Sequence, residues 1–133
     1  KKEKIYYPTL KNEISMYLEG KWYSLIEKQK SYSSISESLD PYVLSKNILK
    51  PILNIIDERT NKDILFLDGK ISLSNVKEQI DNGKYSVGFI LKPISIKAIK
   101  NVADNNEKMP PKSTYIEPKL RSGLIIYPLD DEY

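Results

Sequence analysis

Apolar and polar residues alternate near the start of the chain, and this alternation predicts a β-hairpin. Residues 13–18, EISMYL, place an apolar side chain at every second position, as in a strand with one buried face. Residues 19–21 form a turn signal, and residues 22–27 resume as a second strand. The apolar side chains predicted to share one face are Ile14, Met16 and Leu18.

Helical spacing replaces this alternation after a serine-rich loop at residues 31–38. Asp40 is predicted to be the N-cap of a first helix, with Pro41 at the first helical position. Pro51 falls inside the apolar pattern, so the helix is expected to kink or split near Asn47. The apolar residues expected in the core are Leu44, Ile48, Leu49, Ile52 and Ile56.

Two further helices are predicted from capping signals. Ser72 or Ser74 caps a short helix through Ile80, and the Asn-Gly pair at residues 82–83 ends it. Pro93 and Ser95 begin a third helix, which reaches about Asp104 and is ended by the asparagines at residues 105–106.

Short apolar runs predict three more strands, at residues 64–67, 85–91 and 124–129. Gly88 inside the second run indicates a bulge or the close approach of another element. The order strand, helix, strand, helix, loop, strand favours parallel neighbours joined by right-handed crossovers. With the hairpin, the sequence predicts an α+β fold. It has a mixed sheet of about five strands, an N-terminal hairpin and about three helices packed on the sheet, in a single domain of residues 1–133.

The composition removes several kinds of chemistry. The chain has no cysteine and no histidine, which excludes disulfides, thiolate zinc sites, cysteine nucleophiles and the usual general base. Catalysis would have to use carboxylates, lysines, hydroxyls or tyrosines. A hard cation held by Asp and Glu stays open, but no EF-hand spacing is present and no metal site is predicted.

The charge pattern argues against a nucleic-acid partner and against a membrane. The net charge is +3 with acids and bases interspersed, and the arginines are Arg59 and Arg121 alone. No apolar run approaches the roughly 20 residues of a membrane span. Absence of cysteine fits a cytoplasmic protein. Because the chain begins with Lys1, we expect a fragment of a longer protein or a processed chain.

The stretch 109–120, MPPKSTYIEPKL, concentrates residues that can bind an anion. Its three prolines favour an ordered, extended loop. Ammonium and hydroxyl groups held in such a loop suit a phosphate or carboxylate, because charge-assisted hydrogen bonds are the strong ones. There is no GxxxxGK[ST] motif. The candidate ligand-binding residues are Lys112, Ser113, Thr114, Glu117, Lys119 and Arg121.

The alternative is a proline-stiffened connection whose lysines are merely solvated. Glu117 could hold a magnesium ion, or it could form a surface ion pair with Lys119 that contributes little. No general base is visible beside the loop, so the chain alone is expected to be inactive as an enzyme.

The longer stretch MPPKSTYIEPKLRSGL resembles the closing motif of a bacterial and archaeal family. This family is catalogued as domain of unknown function 1015 and is also described as ParB-like or SpoOJ-like. The segments ISMYLEGKWYSL, SLDPYVLSKNILKPIL and YSVGFILKP resemble that family's segments in the same order. The resemblance covers nearly the whole chain. Members of the family are much longer, and their first part carries a His-His-Arg-Tyr-type motif that a chain without histidine lacks.

The resemblance implies that the chain is the C-terminal domain of such a protein, with its own N-terminal half as a partner. Relatives of the ParB-like fold include nucleotide-binding partition proteins and a free-serine kinase. The resemblance therefore implies nucleotide or phosphoryl chemistry for the whole protein, with a nucleotide and magnesium as the cofactors to expect there. A kinase-like enzyme is implied for the parent only.

A second hypothesis is a non-catalytic interaction or dimerisation domain. Ten tyrosines and Trp22 would supply an aromatic contact surface, and a homo-oligomer would then form. DNA binding by analogy with partition proteins is a third and weaker hypothesis, since no helix-turn-helix with clustered basic residues is evident.

Overall fold

A computed structural model of the chain describes residues 4–28, 31–67 and 69–114. The described elements are three strands and three helices in the order β1 (Glu13–Leu18), β2 (Lys21–Ile26), α1 (Asp40–Leu44), α2 (Leu73–Asp81), β3 (Val87–Ile90) and α3 (Ile96–Asp104). A 3-10 turn, Ser36–Ser38, precedes α1, and a π-helical turn, Ser45–Leu49, follows it. The predicted α+β class is confirmed.

The predicted hairpin is confirmed, and it forms the centre of the fold. β1 and β2 pair antiparallel from Glu13 opposite Ile26 to Leu18 opposite Lys21. The turn places Glu19 at φ 46° and Gly20 at φ 74°, two successive positive values that match the right-handed twist of the flanking strands.

The sheet is smaller and more regular than the sequence predicted. In the described residues it has three strands in the order β2-β1-β3, all antiparallel, instead of about five in a mixed sheet. Residues 64–67 are not a strand, so the predicted strand–helix–strand crossover from this segment is wrong. Leu65 is 50% exposed, because only Ile64 of this run packs against the core. The predicted strand at residues 124–129 lies outside the described residues.

Each face of β1 packs against its own helix. Ile14 joins a cluster with Val43 and Leu44 of α1, together with Leu49 and Ile55. Successive side chains of a strand alternate in direction, so Tyr17 points to the opposite face. There it packs with Trp22 and Ile90, and with Leu73 and Ile80 of α2. The prediction of one buried face was therefore incomplete: Tyr17 is fully buried, whereas Met16 and Leu18 are half-buried.

The start of α1 lies one residue earlier than predicted. Leu39 is the N-cap, and Asp40 is the first helical residue. The Asp40 side chain does not cap the helix. Its Oδ1 accepts a hydrogen bond from the backbone N–H of Asn12 at 3.0 Å, so it ties α1 to the beginning of β1 instead.

The helix changes form where Pro51 was predicted to disturb it. The π-helical turn covers Asn47, and the N–H of Lys50 donates to the carbonyl of Ser45 at 3.0 Å. Proline lacks an N–H, and its ring crowds the preceding turn, so α-helical bonding cannot continue. Asn54, at φ 55°, then redirects the chain.

Part of the predicted core is wrong at the end of the helix. Leu44 and Leu49 are buried and Ile48 is half-buried, as expected, but Ile52 and Ile56 are 71% and 67% exposed. Ile55 is buried in their place, since helical spacing no longer applies after residue 49.

The two later helices confirm the capping predictions. The hydroxyl oxygens of Ser72 and Ser95 accept hydrogen bonds from the N–H groups of Asn75 and Ala98, each at 3.2 Å. The close approach predicted at Gly88 is also confirmed. A β-carbon there would lie 2.8 Å from Cδ1 of Ile80 in α2.

Candidate functional site

The candidate loop leaves the body of the domain directly after α3. Asn106, at φ 55°, turns the chain, and the N–H of Glu107 donates to the carbonyl of Val102 at 3.0 Å. Val102 is almost fully buried, with 1% of its surface exposed. The entry to the loop is therefore fixed against the core.

A second anchor at Glu107 was not predicted. Its carboxylate accepts hydrogen bonds from the backbone N–H of Ser36 at 2.7 Å and of Ile35 at 3.1 Å. These two bonds, that from Ser36 first, lower the pKa of Glu107. The contact joins positions 71 residues apart, so no local pattern in the sequence could have indicated it. It holds the base of the loop beside the start of α1.

The described part of the loop is a tight turn, not the extended segment that the prolines predicted. The hydroxyl of Ser113 donates to the carbonyl of Pro110 at 2.6 Å and closes the turn. Lys112 lies at its tip with φ 53°, and its side chain is exposed, as is that of Thr114. Pro111 is the residue that precedes this left-handed position.

The left-handed backbone of Lys112 belongs to a small set in the described residues. Among the described residues, five besides glycine have positive φ, and three of them are asparagines, which tolerate it well. Glu19 belongs to the hairpin turn, whose geometry demands it. Lys112 follows Pro111 in the closed turn, and a positive φ directly after a proline is typical of a type II turn. A residue held in this region costs on the order of 1 kcal/mol, and such residues cluster at ligand-binding sites.

The structure brings three of the six predicted site residues together, and it changes the role of one. Lys112, Ser113 and Thr114 share the turn. A serine hydroxyl has one proton, and that of Ser113 is donated to Pro110, so Ser113 positions the turn and cannot also donate to a ligand. The remaining predicted residues, Glu117, Lys119 and Arg121, lie outside the described residues.

A nucleotide with magnesium fits the described part of this site only in part. The turn offers the ammonium of Lys112 to an anion. Within residues 4–28, 31–67 and 69–114, no three acidic side chains gather in a way that could hold a metal ion. Among the described residues the turn presents the exposed ammonium of Lys112 and no carboxylate ligand set for magnesium.

A buried carboxylate elsewhere has a structural role. Glu13 is 2% exposed and accepts from the hydroxyls of Ser24 and Tyr6 and from the backbone N–H groups of Thr9 and Leu10. These bonds, that from Ser24 first, lower the pKa of Glu13 to about 2. A carboxylate so fully occupied is a poor general base, and it fastens the N-terminal segment to β1 and β2.

A second polar contact fastens α2 to the sheet. The hydroxyl of Tyr17 donates to Oδ1 of Asp81 at 2.6 Å, and Lys77 forms an ion pair with the same carboxylate. Burial, followed by the bond to Asp81, raises the pKa of the Tyr17 phenol. The nearby Trp22 Nε1 is buried without a partner among the described residues. The bond and the ion pair hold α2 against the sheet.

A small concavity lies between β2 and the helical segment. It encloses about 100 Å³, and its lining is mainly apolar, with Ile14, Leu25 and Val43. Glu27 lies at its edge, and its carboxylate already accepts from Asn47 at 2.8 Å and from Tyr32. No residue of the candidate loop lines this concavity.

Comparisons with known proteins assign no family. No family model matches the chain, and neither a curated protein nor a solved structure matches it significantly. Of the described helices, none has the length and apolarity needed to span a bilayer.

Proposed function

We propose that this chain is an accessory domain of a phosphate- or nucleotide-handling protein, and that Lys112 binds a phosphate group of its ligand. The observation that carries the proposal is the left-handed backbone of Lys112 at the tip of a turn. Nothing in the local sequence requires a lysine there, and a glycine would adopt the same conformation without strain. The turn therefore carries an exposed ammonium at a position whose backbone glycine would adopt more easily.

Two anchors support this role. The bond from Ser113 to Pro110 closes the turn, and Glu107 fixes its base against the backbone of residues 35 and 36. A pre-organised cation loses less entropy on binding than one on a mobile loop. In this proposal the ammonium of Lys112 is held in place and contacts the negative charge of the phosphate. Its contribution to any phosphoryl chemistry would be electrostatic, since such chemistry depends mainly on positioning and charge.

The family resemblance adds the expected context. It implies that the N-terminal half of a longer protein forms the rest of the site, and that Glu117, Lys119 and Arg121 contribute from the same stretch. Enzymatic activity is proposed for the longer protein, not for this domain. A cytoplasmic location accords with the phosphate ligand and with a chain that contains no cysteine.

The test is calorimetry with pyrophosphate and with ATP, with and without magnesium, on this chain and on the longer protein. Lys112→Ala should abolish or sharply weaken binding while leaving the melting temperature within about 1 °C, as expected for an exposed side chain. The matched control is Lys100→Ala, which removes an exposed lysine from α3. Binding that is equal in the Lys112→Ala and Lys100→Ala variants would contradict the proposal.

An interaction or dimerisation domain is the second candidate. It is favoured by apolar side chains that remain exposed between residues 52 and 67. Large exposed apolar clusters commonly mark contact sites. Size-exclusion chromatography at several concentrations tests this candidate, and a monomer at every concentration would count against self-association.

A further inference from the structure

The small concavity between β2 and the helical segment adjoins a wider polar depression. Glu27 and Asn47 line both, so they lie at the border between the two. The depression is also lined by Lys28, Ser31 and Lys46. A mainly apolar hollow and a surface with charges of both signs therefore meet at this border.

The lining of the concavity belongs in part to the buried core. Ile14 and Val43 are buried members of one cluster, and Leu25 and Ile48 pack against that cluster half-buried. The volume of about 100 Å³ exceeds the roughly 30 Å³ of a water molecule and is below the roughly 150 Å³ of a cavity that holds benzene. The concavity therefore suits an apolar group of about four carbons, such as a branched alkyl chain.

The carboxylate of Glu27 is held in place at the border. Nδ2 of Asn47 donates to its Oε1 at 2.8 Å, and the hydroxyl of Tyr32 donates to its Oε2. An ionised carboxylate has about four lone-pair sites, so it can also accept from the ammonium of a ligand. Lys28 and Lys46 are exposed, and their ammonium groups are suited to a carboxylate.

We propose that this border binds a free α-amino acid with a branched apolar side chain, such as leucine. The alkyl group enters the concavity, the α-ammonium contacts Glu27, and the α-carboxylate contacts Lys28 or Lys46. A zwitterion matches both signs of charge, whereas Glu27 would repel a simple anion and the lysines would repel a simple cation. The site shares no residue with the turn at Lys112, so the proposal does not depend on phosphate binding.

An NMR titration of the full chain with leucine tests the proposal without any variant. We expect the amide signals of Glu27, Asn47 and Ile48 to shift and to saturate. Three further compounds each lack one of the three contacts: glycine has no alkyl group, 4-methylpentanoate no ammonium, and 3-methylbutylamine no carboxylate. Each should bind at least about tenfold more weakly than leucine, because a lost apolar or charge-assisted contact is not replaced.

Two variants locate the site. Ile48→Phe fills the concavity and Glu27→Gln removes the negative charge, so each should weaken leucine binding at least about tenfold. The control is Lys50→Ala, which removes an exposed lysine from the same helical segment and should bind leucine as wild type does. The fluorescence of buried Trp22 shows whether each variant is folded.

Each outcome decides the proposal. Saturable binding of leucine that is weakened in the three smaller compounds and in both site variants supports it. Wild type without saturable shifts would overturn it, as would equal binding of leucine and the three compounds. Leucine binding that is unchanged in folded Glu27→Gln and Ile48→Phe would also overturn it.

Discussion

The buried carboxylate of Glu13 should make the stability of the domain depend on acid pH. Ser24, Tyr6, Thr9 and Leu10 all donate to it, and no cation is among its hydrogen-bond partners in the described residues. Each donor is oriented for an acceptor. Protonation, or replacement by glutamine, places a hydrogen where these donors converge, so at least one bond is lost.

The size of the effect follows from the pKa. The hydrogen bonds, with that from Ser24 the largest cause, lower the pKa of Glu13 from 4.5 to about 2. A difference of about 2.5 units at about 1.4 kcal/mol for each corresponds to about 3 kcal/mol. Because the pKa is lower in the folded state, this stabilisation is fully present above the unfolded value of 4.5 and is lost as the pH falls through about 2.

Urea unfolding between pH 6 and pH 2 measures this contribution. Trp22 is the only tryptophan, is 3% exposed and contacts Tyr17 with ring centroids 4.8 Å apart, so its fluorescence reports on folding. Wild type should lose about 3 kcal/mol more than Glu13→Gln over this range, since glutamine does not titrate. Glu78→Gln, which changes an exposed acid of α2, should keep the wild-type dependence. If Glu13→Gln retained that dependence as well, the assignment to Glu13 would be refuted.

Two further predictions concern the contact between α2 and the sheet. Gly88→Ala should cost about 1–3 kcal/mol, because the new β-carbon would lie 2.8 Å from Cδ1 of Ile80. Ile80→Val removes that atom. In urea unfolding, the double variant should therefore lose less stability than the two single variants lose together. Losses that simply add would contradict the clash. Tyr17→Phe should cost about 1–2 kcal/mol through loss of the bond to Asp81. Thermal unfolding should show no comparable loss for Tyr7→Phe at an exposed position, and equal losses would show that the bond contributes nothing specific.

The elements that depend on local signals could be predicted from the sequence. The hairpin follows from alternation around Glu-Gly, and the later helices follow from Ser72 and Ser95 as caps. The close approach at Gly88 was also readable, because a glycine inside a strand leaves room for a neighbouring side chain.

The errors arose where distant contacts override local pattern. Asp40 has the residue type of a helix cap, but its carboxylate accepts a hydrogen bond from the backbone N–H of Asn12 instead. Ile52 looks like a core position, but Pro51 ends the helical phase on which that reading depends. Parallel pairing was expected from element order. Residues 64–67 form no strand that could pair in this way, and β3 pairs antiparallel with β1.

In the candidate site, too, local signals could be predicted from the sequence and distant contacts could not. Lys112 could be selected from the prolines and polar residues around it. Its left-handed backbone and the anchor at Glu107 could not, because one depends on the closed turn and the other joins positions 71 residues apart. Ligand binding by residues 117, 119 and 121 stays a prediction.

The most direct test of the phosphate-binding account is the Lys112→Gly variant, measured for both stability and pyrophosphate binding. Glycine adopts the conformation of Lys112 without strain, so we expect the free energy of unfolding to rise by about 1 kcal/mol. Binding should be lost at the same time, because the ammonium is gone. A gain of stability with loss of binding would show that backbone strain is retained for the ligand. A variant that binds pyrophosphate as tightly as wild type would contradict the account.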